Sequence, residues 1–143
     1  MAKSYVLSIK VGKQCYRHIQ VSEKLTLKTL HGIIQESFEF DDDHLYAFFM
    51  NNKVWDNSEQ YVCPQDDLDG ARGYADKTKL SSLGLKKDMK FLYLFDYGDE
   101  WWFQIKVLRV LDEEIKDYEV LKRVGYVSQY GDDEYEEDYE DDE

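Results

Sequence analysis

Proline occurs once in these 143 residues and cysteine only twice, at Cys15 and Cys63. No apolar run approaches the 18 or so residues that a membrane span requires. A single proline beside an apolar fraction of 43% excludes a collagen-like chain and argues against a disordered one. The two cysteines form no CxxC and have no histidine beside them, so neither a local zinc motif nor a disulfide framework is spelled out. Reduced thiols are the simplest expectation, and no signal-like apolar segment follows Met1, so the cytoplasm is the expected compartment. A P-loop, a dinucleotide glycine fingerprint and a nucleophile elbow are all missing from the sequence. Gly70 and Gly73 have neither the spacing nor the preceding strand for such a role.

Basic residues are also scarce, with 18 against 31 acids. The imbalance is local. Residues 131–143 hold ten acids and no base, which leaves 21 acids against 18 bases in residues 1–130, a formal −3. The body is nearly balanced and the last segment makes the low pI. A run this dense repels itself and buries nothing, so it reads as a disordered tail, solubilising or made to dock on a basic protein. Direct binding to duplex DNA is not expected, because such affinity comes mainly from Lys and Arg displacing counterions. Lys86, Lys87 and Lys90 are few, Asp88 interrupts them, and they read as a solvated turn.

What is abundant is aromatic, at 15% of the chain, and arranged in recognisable periods. Residues 5–11 and 15–21 alternate apolar and polar around Gly12-Lys13-Gln14, the pattern of a β-hairpin. Thr26 then caps a helix whose Leu27, Leu30, Ile34 and Phe38 share one stripe, so the helix packs on a sheet. Asp41-Asp42-Asp43 ends it, and residues 44–50 return to strand character. Residues 51–78 are irregular and read as a long excursion with a short helical turn. Leu80, Leu83 and Leu85 around Gly84 make another turn before residues 90–97, apolar on both faces as suits a central strand. Residues 101–111 put Trp101, Phe103, Ile105 and Val107 on one face and Trp102 on the other. A last strand falls near 118–124. The order ββαβ–loop–βββ gives an α+β single domain over residues 1–130, a mainly antiparallel sheet packed on one main helix.

Three stretches carry a family resemblance. They are Asp42-Asp43-His44-Leu45-Tyr46-x-Phe48, Leu80-Ser81-x-Leu83-Gly84-Leu85, and Phe91-Leu92-Tyr93-Leu94-Phe95-Asp96-Tyr97-Gly98-Asp99-Glu100-Trp101. Together they resemble the plasmid pRiA4b open-reading-frame-three-like family over roughly residues 4–130. The resemblance implies a somewhat β-grasp-like α+β domain and an association with plasmids and other mobile elements. It implies no activity. Many members carry a Cys-Pro-Pro-Glu-Asp-type segment after the Trp-bearing strand, and residues 124–130 depart from it here.

Two kinds of candidate site stand out. Asp96, Asp99 and Glu100 crowd one hairpin and, with His44 after the aspartate run, offer oxygen and nitrogen ligands to a divalent cation. The same residues equally suit a tight turn and a structural hydrogen bond. No other cofactor is implied. Trp55, Tyr61 and Tyr74 in the irregular segment, with Trp102, suit anchors for a protein partner, or else a satellite core under a folded-over loop. His31 reads as a boundary residue, and Cys63, with no base beside it, as an inert thiol. A non-enzymatic interaction module is the leading expectation, and a metal-assisted hydrolase or nuclease-like enzyme the alternative.

Overall fold

The computed structural model of the chain describes residues 2–68, 70–127 and 129. The acidic segment 131–143 lies outside the described residues.

The opening hairpin forms as the alternation dictates: β1 (Ser4–Val11) pairs antiparallel with β2 (Cys15–Ser22), from Ser4 opposite Ser22 to Val11 opposite Cys15. Tyr5, Leu7, Ile9 and Val11 point to one face, where helix α1 (Leu27–Ser37) covers them. Thr26 caps α1 by accepting a hydrogen bond from the Thr29 amide at 3.2 Å, which satisfies one of the free donors of the first turn. The helix's apolar stripe is buried: Leu27, Leu30 and Ile34 are fully inaccessible. Each such side chain contributes about 1.5–3 kcal/mol relative to exposure.

The remaining strands are β3 (Tyr46–Phe49), β4 (Gln60–Val62), β5 (Gly73–Tyr74), β6 (Lys90–Phe95), β7 (Trp101–Leu111) and β8 (Tyr118–Val124). They form one eight-stranded sheet in the order β5-β4-β3-β6-β7-β1-β2-β8. Every pairing is antiparallel except β4 with β5. The fold is therefore α+β and sheet-dominated. Residues 51–78 hold more order than their sequence suggests, since β4 and β5 extend the sheet by three and two residues. Strands that short span at most one and a half periods of alternation, which is why no pattern announced them.

The sheet has two unlike faces. On the helix side lies the main core, rich in Phe and Tyr from β3, β6 and β7. On the opposite side Ala47, Phe49, Val62 and Leu94 are buried beneath Tyr74, Tyr97, Trp102 and Ala71, a small second core. Trp101 and Trp102 fall on opposite faces: Trp101 meets Phe40 edge-on at 5.1 Å, and Trp102 tilts against Phe49 at 5.5 Å. Among the described residues no helix covers the outer face of β1, β2, β7 and β8.

Candidate functional site

The end of α1 shapes the first candidate site. Glu39 adopts the left-handed conformation (φ 59), the Phe40 amide bonds back to Gln35 O at 2.9 Å, and the Glu39 amide to Glu36 O at 3.2 Å. This double bond pattern is a Schellman cap with Glu where glycine is usual. It turns Phe40 into the core and throws Asp41-Asp42-Asp43-His44 across the helix end towards β3. The result is a cavity of about 560 Å³ lined by Lys28, His31, Asp42, Asp43, His44 and Tyr46, among others.

Beneath it runs a polar chain. Tyr93 is inaccessible, and burial raises its phenol well above the usual value, so the O–H stays protonated. It donates to His31 Nδ1 at 2.6 Å and accepts from Gln35 Nε2 at 3.0 Å. His31 Nε2 lies 2.9 Å from Asp42 Oδ1, out of line for a hydrogen bond, and that carboxylate favours the ring proton on Nε2. Burial lowers the His31 pKa, with Asp42 working against that and Lys28 with it. The ring stacks on Tyr46, centroids 3.6 Å apart and planes 6° apart. Among the described residues the buried Tyr46 hydroxyl meets no hydrogen-bond partner, and burial, then Cys63, Asp42 and Asp76, raise its pKa. His31 is thus no boundary residue but a buried one, 3% exposed. Its signal was its pairing with Gln35 one turn on, two polar residues inside an apolar stripe.

His44 sits on the rim. Its Nδ1 is 2.6 Å from Asp43 Oδ1, and its Nε2 is 3.5 Å from Asp96 Oδ2. Asp96 comes from the β6–β7 turn. It is buried, left-handed (φ 66), and its Oδ1 accepts from the Gly98 amide at 3.1 Å and the Asp99 amide at 3.3 Å. The Glu100 amide closes the turn onto Asp96 O at 2.6 Å, and Glu100 Oε1 accepts from Trp102 Nε1 at 3.1 Å. Of the four residues read as a cation set, His44 and Asp96 come together, whereas Glu100 faces Trp102 and Asp99 is exposed on the turn. Among the described residues no group of three His, Cys, Asp or Glu side chains is placed to hold a metal.

The aromatic candidates divide by face. Trp55 stands edge-on to Phe49, Tyr97 and Trp102 at 5.5–6.0 Å, and Tyr74 joins the same second core. Tyr61 packs instead against the main core on the helix side. Trp55 is 47% exposed and left-handed (φ 57), a conformation costly for a bulky residue. It borders a groove of about 360 Å³ with Leu68, Val62 and Tyr97, edged by Asp66 and Asp67. Tyr97 fixes that edge by donating to Asp66 Oδ2 at 2.8 Å. Cys63 is inaccessible and burial pushes its thiol up, which leaves it inert.

The described residues form a sheet-dominated α+β domain with one α-helix on one face of the sheet. The chain belongs to the plasmid pRiA4b ORF-3-like protein family, whose model matches residues 4–133. It is similar in structure to the protein of unknown function MM3350 from Methanosarcina mazei Go1, solved by crystallography, with a TM-score of 0.69 and 27% identity. That match covers 86% of this chain and 70% of the other. No curated protein matches. No helix among the described residues is long and apolar enough to cross a membrane.

Proposed function

We propose that this chain is a non-enzymatic protein-interaction module whose contact surface is the Trp55 end of the sheet. The observation that carries the reading is Trp55 itself, half exposed and held in a strained backbone conformation over a groove. A bulky side chain held in the left-handed region in this way is a recurrent mark of functional surfaces. Val54 at 58% and Leu68 at 39% exposure extend the apolar surface. Asp66 and Asp67 at its edge favour a partner segment that offers an apolar side chain flanked by Lys or Arg. The family's expected link to mobile elements favours partners that handle DNA, in the cytoplasm, where both thiols stay reduced.

The test begins with proteins captured by the full chain, each purified and titrated by calorimetry. Trp55→Ala and Trp102→Ala are expected to weaken a true partner at least about tenfold, as interface anchors do, with the fold intact by circular dichroism. Equal affinity for wild type and Trp55→Ala refutes the reading.

A second reading, metal-assisted hydrolysis, draws on the His44–Asp96 contact. An imidazole nitrogen of His44 and a carboxylate oxygen of Asp96 come within 3.5 Å, a nitrogen and oxygen pair of the kind that ligates a cation. It predicts a rise in thermal midpoint with Mg²⁺, Mn²⁺ or Zn²⁺ that Asp96→Asn abolishes. No such rise ends it.

A further inference from the structure

We propose that the helix-free face of β6, β7, β1, β2 and β8 is a docking surface for this chain's own acidic segment, residues 131–143. The pairing registers place one residue from each strand in a single row across that face: Lys90, Lys106, Ser8, His18 and Lys122. Lys10 follows in the next row, opposite Gln104 and Tyr16. Arg109 lies one step the other way, opposite Val6. Lys86 and Lys87 line a shallow groove with Arg109 at the margin. Among the described residues the acids on or beside this face are few: Asp88, 3.7 Å from Lys106, Glu119, opposite Gln20, and Glu100, which accepts from Trp102 at the end of β7. A body with a formal −3 thus carries a concentrated positive face, and the same chain carries ten acids with no base in thirteen residues.

The occupant follows from charge and tether. The last described residue, Gln129, is fixed by its side chain to the Asp41 backbone at 2.6 and 3.1 Å. From there residues 130–143 extend up to about 46–50 Å at about 3.3–3.6 Å each. A compact domain of this size has a radius of gyration near 14 Å, so either face of the sheet is within reach. A tethered segment meets the face at an effective concentration of about millimolar, which a free polyanion must outcompete. Attraction between exposed charges is screened beyond about 8–10 Å at physiological salt, so the contact is salt-sensitive.

His18 is the reporter, because it sits inside the row, between Ser8 and Lys122. Lys122 from β8, Arg109 and Lys106 from β7, Ser8 from β1 and Tyr16 from its own strand surround it. Burial first, and then Lys122 and Arg109, hold its pKa below the usual value. Each carboxylate docked about 7 Å away raises it by about 0.4 unit even in a water-like dielectric. The experiment follows the His18 ring by NMR through a pH titration of the full chain at low salt. Its counterpart is a full-length variant with all ten acids of 132–143 changed to their amides.

The amide variant is expected to titrate at least about 0.4 unit lower. The gap should close in 1 M NaCl and in a Lys10→Gln/Lys90→Gln/Lys106→Gln background, and should not depend on protein concentration. Identical midpoints at low salt overturn the proposal. So does a gap that grows with protein concentration, which assigns the segment to a second copy. An oligodeoxythymidine that shifts His18 equally in both proteins also overturns it, and gives the face to single-stranded nucleic acid instead.

Discussion

The same chemical change at two neighbouring tyrosines should move stability in opposite directions. Tyr93→Phe removes a hydroxyl that serves two buried partners, His31 Nδ1 and Gln35 Nε2. The ring keeps its packing against Phe48 and Phe103, so no large cavity opens. Each stranded polar group costs about 1–3 kcal/mol, giving a total of about 2–6 kcal/mol. For a domain of this length that is a fall in thermal midpoint of roughly 6–24 °C. Tyr46→Phe removes a hydroxyl that is buried and, among the described residues, bonds to nothing. Relieving that unpaired group should stabilise by about 1 kcal/mol, and the stack on His31 survives. The assay is urea unfolding of both variants beside wild type, with the slopes compared to confirm the same transition. A Tyr93→Phe variant within about 0.5 kcal/mol of wild type refutes the polar chain. A Tyr46→Phe variant that loses more than about 1 kcal/mol shows that its hydroxyl has a partner.

Two further outcomes follow from the same geometry. His31 is held neutral by burial, so the unfolded chain takes up its proton first as pH falls. Stability is therefore full above about 6.5, the unfolded value, and declines below it towards the lowered folded value. Urea midpoints at pH 7.5 and 5.5 should show that decline, and His31→Gln should reduce it. At the β6–β7 turn, Asp96→Ala removes the acceptor of two backbone amides and a residue tolerant of φ 66. A loss of about 1–3 kcal/mol is expected, whereas Asp96→Asn, which keeps both properties, should lose about 1 kcal/mol or less. Equal losses in urea unfolding would mean that the Asp96 charge, and with it His44, matters more than the turn.

The interaction reading and the acidic-segment reading occupy different parts of one sheet, and they stand apart experimentally. Trp55→Ala leaves the row at His18 untouched, and amides in 132–143 leave the Trp55 groove untouched. A partner that needs both would bridge the two ends of the sheet. Measured affinities in the two variants then multiply instead of merging into one effect.

Much of this architecture was legible along the chain because its causes are local. Alternation fixed β1, β2 and β7, the stripe from Leu27 to Phe38 with the Thr26 cap fixed α1, and Asp96 with Gly98 fixed the β6–β7 turn. The same alternation sent Trp101 and Trp102 to opposite faces. The hairpin that carried the family resemblance is legible for the same reason, since its residues answer to turn geometry within a few positions. Tertiary structure decided what depends on strand order. It brought Tyr93 to His31 across 62 positions, set Asp96 against His44 and buried His31. It also drew Lys90, Lys106, His18 and Lys122 into one row. No local period encodes which strands become neighbours, because that choice is made by closing long loops over a shared core.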